Sequence, residues 1–304
     1  MRKAFTFLEL VFVLVIIGIL AKFGTNILMT TYQAYTVSTN NNKMLNNVEL
    51  TLKQISNRMQ YRIKSSVIAG NGAGFTSITS VAGNETVLEW VGYDIDGWLG
   101  NAGSTLPLWS GFINVNDAAA IAAGTFLESP ATNTASENTL IQALRANGSA
   151  TTIANAAIFF TGANSDVLTD YGWGGAAQNF QATTAAHRIT SNVTPTQLVD
   201  ATLGGFAGTD VYENYKLSWT AYAISLEDGD ADGADDDLVL YYDYQPWAGN
   251  TFNNGTRVLL LQNIDTFKFI GIGETIQLQI CVNDQDSIGA GDGGYSVCEE
   301  TVIF

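Results

Sequence analysis

The sequence predicts an α+β fold in which a long N-terminal α-helix packs on an antiparallel β-sheet head with a large mixed insertion. Residues 5–21 form an apolar run, and residues 45–63 carry apolar side chains at helical spacing. Beyond residue 65 the apolar side chains alternate with a period of two, which is typical of strands. Thirty Gly and only four Pro favour turn-rich β structure in the head.

The charge distribution divides the chain into two parts. Residues 1–64 hold eight Lys or Arg and two Glu, a net charge of +6, whereas residues 65–304 hold five bases and 27 acids, a net charge of −22. An acidic head disfavours nucleic acid as a partner, because phosphates need a basic surface. A single His disfavours a His-ligated zinc or iron centre. The sequence holds no Gly-x-Ser-x-Gly elbow, Walker loop or Cys-x-x-Cys, so we expect no enzyme.

The first helical segment is long and apolar enough to cross a membrane. Residues 5–21 reach roughly 26 Å as a helix, and residues 22–29 add the rest of a ~30 Å span. Arg2 and Lys3 predict a cytoplasmic N-terminus. A secretory signal peptide is the alternative, but its apolar region is shorter and is followed by a small-x-small cleavage site. Glu9 is the one charge in this run, and a carboxylate there needs a partner.

The segment RKAFTFLEL, residues 2–10, followed by an apolar helix, resembles the leader of type IV pilins and type II secretion pseudopilins. The resemblance implies that residues 1–4 are a leader, which a prepilin peptidase removes by cutting between Ala4 and Phe5. It also implies N-methylation of Phe5. Glu9 would then be the fifth mature residue, and its carboxylate would meet the Phe5 α-amine of a neighbouring subunit during assembly. Opposite charges that are each costly in lipid neutralise each other in such a pair.

The resemblance further implies a structural subunit, a minor pilin or minor pseudopilin, with residues 5–29 in the bacterial inner membrane or in a filament core. Its head would be periplasmic, and a head of 240 residues favours a minor role. The implied partners are other pilin or pseudopilin subunits, the prepilin peptidase, an inner-membrane assembly platform and membrane lipid. The alternative is a tip adhesin whose insertion contacts a surface, a glycan or DNA. Two departures are Ala4, where the family has Gly, and Asn26, where many major pilins have Pro.

The helical pattern continues beyond the membrane segment to about residue 64. An amphipathic stripe predicts that this half of the helix packs on the head. The polar, Asn-rich residues 38–42 predict a weak point in the helix. The stripe consists of Leu45, Val48, Leu52, Ile55, Met59 and Ile63.

The globular head, residues 65–304, is predicted to be β-rich. The insertion, about residues 110–210, is rich in Ala, Thr, Asn and Gly and predicts mixed short elements, including a helix over 136–146 with Ser136 as N-cap. The predicted strands are residues 87–91, 215–221, 238–244, 257–261, 266–270, 275–282 and 295–304.

An Asp-rich segment between two predicted strands resembles a calcium-binding loop. Its acids fall at loop positions 1, 3, 5 and 9, a Gly falls at 6, and a backbone carbonyl at 7, whereas Val239 replaces the usual Glu at 12. A solvated acidic turn is the alternative, and the shorter acidic segments 94–97 and 284–286 predict ordinary turns. The candidate Ca²⁺ ligands are Asp228, Asp230, Asp232, Ala234 and Asp236.

Cys281 and Cys298 are the only cysteines, and both follow the membrane segment. With a cytoplasmic N-terminus they face an oxidising compartment, so we predict that they form a disulfide. Two free thiols or a metal pair are the alternatives. The pair also resembles the C-terminal disulfide loop of type IV pilins.

Overall fold

The computed structural model describes residues 6–304 except 72–73, 101–105, 118–123, 125, 176, 179–184, 202–204, 207, 229–236 and 284–295. In this part of the chain one long helix accompanies antiparallel sheets, which confirms the α+β class. The helices are α1 (Phe7–Met59), α2 (Ile95–Leu99) and α3 (Thr134–Leu144). The strands are β1 (Ile68–Gly70), β2 (Phe75–Ser77), β3 (Val87–Gly92), β4 (Leu127–Glu128), β5 (Ala157–Phe160), β6 (Ala186–Ser191), β7 (Gln197–Asp200), β8 (Tyr215–Ser218), β9 (Thr220–Glu227), β10 (Asp237–Tyr244), β11 (Thr256–Leu261), β12 (Ile264–Ile272), β13 (Thr275–Asn283) and β14 (Ser296–Ile303).

Helix α1 runs for 53 residues, roughly 80 Å, without interruption. The predicted weak point at residues 38–42 is therefore wrong. In this region polar side chains bond to the helix's own backbone, as Thr39 Oγ1 does to the Tyr35 carbonyl at 2.8 Å. The helix also ends earlier than predicted, at Met59, because Arg62 turns out of it to form a bridge with Gly92.

The second half of α1 packs on two sheets that form the base of the head. One sheet has the strand order β11-β10-β9-β3-β1-β2, and the other has the order β12-β13-β14. Val48, Leu52, Ile55 and Met59 are buried in one apolar cluster with side chains of both sheets, which confirms the predicted packing. Each such side chain contributes roughly 1.5–3 kcal/mol through its removal from water.

The region predicted as an insertion contains β4 to β7 and α3. Strand β8 completes its antiparallel sheet, in the order β4-β7-β6-β5-β8. A separate apolar cluster, including Trp109, Ile141 and Ile158, holds this sheet and α3 together. The strand predicted over residues 215–221 is split at Trp219, because β8 pairs with β5 in this sheet while β9 pairs with β3 in the six-stranded sheet.

Helix α3 begins two residues before its predicted start. Asn133 is the N-cap, and its Oδ1 accepts a hydrogen bond from the Ser136 amide at 3.0 Å, so the assignment of Ser136 as N-cap is wrong. Both residue types cap helices well, and the sequence offers both within four residues. At the other end Arg145 leaves the helix and its Nη1 donates to the Thr151 carbonyl at 2.9 Å.

Candidate functional site

The first half of α1 is an exposed apolar rod. An 18-residue window of this helix has a mean hydropathy of 2.4, and none of it is buried against the rest of the protein. Residues 7–29 would extend roughly 34 Å, which matches a ~30 Å hydrocarbon core. The helix is therefore long and apolar enough to span a membrane. The same surface is also suited to packing against other apolar helices.

Glu9 folds back on the start of α1 in a capping box. The backbone N and Oγ1 of Thr6 each donate to Glu9 Oε2 at 3.0 Å, and the Glu9 amide donates to Thr6 Oγ1 at 3.4 Å. The positive end of the helix dipole also favours a carboxylate here. Glu9 Oε1 accepts no hydrogen bond from the described residues. The carboxylate therefore points toward the N-terminus, and one of its oxygens has no donor among the described residues.

The predicted processing residues, Ala4 and Phe5, lie outside the described residues. Of the predicted processing and assembly residues the structure thus places only Glu9. The interaction of its carboxylate with the α-amine of another subunit stays a prediction.

The disulfide prediction is confirmed. Cys281 of β13 and Cys298 of β14 lie opposite each other in the antiparallel register and are bonded, with their Cα atoms 4.0 Å apart. Neither cysteine is free, so the metal-pair and free-thiol alternatives are wrong. Cross-linking residues that are 17 apart contributes about 3 kcal/mol on the chain-entropy model. The bond fixes β14 to β13, and both strands contact α1.

The Asp-rich loop is described only at its base. Asp230, Asp232, Ala234 and Asp236 lie outside the described residues. At the base of the loop Arg257 Nε forms an ion pair with Glu227 Oε1 at 2.9 Å, and Arg257 Nη2 donates a hydrogen bond to the Asp228 carbonyl at 2.8 Å. Among the described residues no group of three or more His, Cys, Asp or Glu is arranged to hold a metal ion. Calcium binding by the loop stays a prediction.

Asp94 and Glu137 form a buried carboxyl pair where α2 meets α3. They are 4% and 1% exposed, respectively. The indole Nε1 of Trp109 donates to Asp94 Oδ2 at 2.9 Å, and that of Trp219 approaches Oδ1 at 3.4 Å. A Cβ on Gly97 would overlap Asp94 Oδ2 and Glu137 Oε2, so only glycine leaves room for the two carboxyl groups.

Burial sets the protonation of this pair. Burial raises the pKa of Asp94. Burial also raises the pKa of Glu137, and the negative charge of Asp94 is the second cause of that rise. Two buried carboxylates in contact do not both ionise, so the pair retains a proton at neutral pH. The prediction of an ordinary turn at residues 94–97 is wrong, because residue 94 is buried and α2 begins directly after it.

Burial also shifts the pKa values of His187 and Glu89 in the head. Burial lowers the pKa of His187 to about 4, so this residue stays neutral inside the fold. An exposure of 2% places this side chain in the interior of the head. Burial raises the pKa of Glu89 to about 7, although Tyr244 Oη donates to its Oε2 at 2.9 Å.

The sequence carried one signal for the buried pair, the motif Asp94-Ile95-Asp96-Gly97, in which a Gly follows closely on an acid. It carried no signal that residue 137 would face this motif from another helix.

Scans against protein-family models, curated proteins and solved structures found no match to this chain.

Proposed function

We propose that this chain is a structural, non-enzymatic subunit, a minor pilin or pseudopilin, of a type IV pilus or type II secretion filament. One observation carries the proposal: an apolar helix half that no other described residue covers begins with a capped carboxylate, one oxygen of which has no donor among the described residues. Lipid covers this surface before assembly, and the helices of neighbouring subunits cover it afterwards. The second half of the same helix is the core of the head, so the head is rigidly attached to the assembly element.

The proposed topology is a single pass through the bacterial inner membrane, with a cytoplasmic N-terminus and a periplasmic head. A prepilin peptidase removes residues 1–4 and methylates Phe5, and an inner-membrane platform then takes up the subunit. The adhesin alternative is supported by a separate sheet and apolar cluster in the insertion, because such a module can hold a binding surface away from α1.

Mass spectrometry of the native protein tests the processing step. We expect the loss of residues 1–4, one added methyl group on Phe5 and two hydrogens fewer at Cys281 and Cys298. An Ala4→Gly variant restores the residue usual in the family, so its processed fraction should equal or exceed that of the parent. An intact Met1 in membranes that contain the peptidase would contradict the proposal.

We also propose that the Asp-rich loop binds Ca²⁺, because a hard divalent cation relieves the repulsion among its carboxylates. After dialysis against a chelator, calcium at 100 times its Kd should stabilise the protein by about 2.7 kcal/mol. The double variant Asp230→Asn/Asp232→Asn should lose this response, while Asp284→Asn in the shorter acidic segment should keep it. No heat on titration of the parent with calcium chloride would rule the site out.

A further inference from the structure

A groove of about 420 Å³ opens where the end of α1 meets the head. We call it the stem–head groove, and its walls include Lys64, Ser65, Phe160, Ser165, Tyr171 and Lys216. The walls come from the segment that follows α1, from the end of β5 and the segment after it, from β8, and from the β12–β13 turn at Glu274. Its volume is in the range of pockets that take small molecules, and one sugar ring fits within it.

Basic side chains gather at one side of this groove, although the head carries a net charge of −22. Lys64 Nζ pairs with Glu274 Oε2 at 2.6 Å, and both side chains are largely exposed. Arg62 is buried nearby, where its guanidinium donates to the carbonyls of Met59, Glu274 and Phe304. Lys216 is the third cation, and Glu274 is the one carboxylate among the described residues that line the groove. The described wall therefore holds more positive than negative charge.

The ammonium group of Lys216 is poorly satisfied. It lies 4.6 Å above the ring centroid of Tyr93 and donates no hydrogen bond to the described residues. Burial, followed by the charges of Lys64 and Arg62, lowers the pKa of this half-buried lysine. A cation that has lost part of its hydration gains most from an anionic acceptor, because charge-assisted hydrogen bonds are the strong ones.

Three hydroxyl groups, those of Ser65, Ser165 and Tyr171, line the same groove as this lysine. Tyr171 Oη is 2.6 Å from Ser65 Oγ and 3.2 Å from Ser165 Oγ. These three hydroxyls can each donate or accept, which suits a ligand that carries hydroxyl groups of its own. Phe160 adds an apolar wall.

We propose that the stem–head groove binds a small polyhydroxylated carboxylate of the hexuronic acid class. The carboxylate accepts hydrogen bonds from Lys216, and the ring hydroxyls bond to Ser65, Ser165 and Tyr171. The inference does not depend on how the subunit assembles, since the groove is formed within one chain.

Titration calorimetry on the full chain tests the site, in a detergent without a sugar headgroup and with glucuronate as the probe. We expect saturable binding that weakens as ionic strength rises. Lys216→Gln should weaken glucuronate binding at least tenfold. Lys268→Gln changes an exposed lysine of β12 and should leave binding unchanged. Ser165 lies outside β8, the strand that carries Lys216, so Ser165→Ala provides a second variant if the first misfolds. It should weaken binding at least threefold.

Glucose and the methyl ester of glucuronate are the neutral controls, and both should bind at least tenfold more weakly. Equal binding of these neutral sugars would overturn carboxylate recognition. Equal binding of inorganic phosphate or acetate would overturn sugar recognition and leave a general anion site. No binding of glucuronate, or binding that neither variant weakens, would overturn the proposal. None of these outcomes bears on processing or on the role of Glu9.

Discussion

A Glu9→Gln variant is expected to reach the membrane normally but to enter its filament at least tenfold less than the parent. In the proposed assembly the carboxylate neutralises the α-amine of the next subunit inside an apolar environment. Without it that amine loses its counter-charge, at a cost of a few kcal/mol, and about 1.4 kcal/mol already corresponds to a factor of ten. The measurement is the ratio of head antigen in the sheared or sedimented filament fraction to that in the membrane fraction.

The capping box allows a matched control for this test. Gln serves at the N3 position of a capping box as Glu does, so Glu9→Gln removes the charge and keeps the cap. Thr6→Ala does the reverse, because it removes the hydroxyl that bonds to Glu9 and keeps the carboxylate. We expect Thr6→Ala to assemble like the parent. Equal incorporation of Glu9→Gln and the parent would refute the charge-pair proposal. If Thr6→Ala failed to assemble in that same assay, the requirement would lie in the cap and not in the charge.

The second large effect is expected at the buried carboxyl pair. The pKa of Glu137 in the folded protein is raised above its ordinary value of 4.5, mainly by burial. The unfolded chain therefore releases this proton at lower pH than the folded protein does. The stability from the protonated pair is fully present below about pH 4.5 and is lost as the pH rises, by about 1.4 kcal/mol for each pH unit.

Glu137→Gln should remove this pH dependence. The amide is neutral at every pH and can donate to Asp94, which also has the indole N–H groups of Trp109 and Trp219 as donors. We expect the free energy of unfolding of the variant to exceed that of the parent by about 4 kcal/mol at pH 8, because about 1.4 kcal/mol is lost by the parent over each pH unit above pH 5. The difference should shrink toward pH 5. Urea unfolding at several pH values measures it.

Subtracting the parent's unfolding free energy from that of Glu137→Gln at each pH separates the effect of the carboxyl pair from that of other titrating groups. His187 contributes with the opposite sign, because its lowered pKa costs stability as the pH falls below its ordinary value of 6.5. This term, like that of Glu89, cancels in the difference between variant and parent. Glu213→Gln, which changes an exposed carboxyl group in the same part of the head, should give a profile parallel to that of the parent. Parallel profiles for Glu137→Gln as well would show that the pair is not protonated.

The sequence was informative where the information is local. The 3.6-residue period of Val48, Leu52, Ile55 and Met59 predicted the buried face of α1, since residues on one side of a helix recur at that spacing. Apolar side chains at every second residue predicted the strands of the β12-β13-β14 sheet, since alternate residues of a strand lie on the same face. The disulfide was predicted from two cysteines that both follow the membrane segment and so face an expected oxidising compartment.

The ends of the helices and strands were less predictable from the sequence. Neighbouring residues can each mark such an end, and tertiary packing decides which of them does. Ser136 and Asn133 are both good N-caps, and the helix uses Asn133. Residues 215–221 alternate like one strand, yet Trp219 separates β8 from β9 because the flanking residues pair in different sheets. The end of α1 at Met59 depends on backbone carbonyls more than 200 residues away, at Glu274 and Phe304, which Arg62 joins to it.

The sequence alone predicts an apolar helix with a single carboxylate near its start, and a head that is acidic and mainly β. The contact of Asp94 with Glu137 and the proximity of Lys216 to Lys64 arise from the packing of separate elements. Each of these pairs joins residues that are far apart in the chain, and the charge of each member is ordinary in isolation. Burial and proximity change the energy of a charge, and both arise only when separate elements pack together.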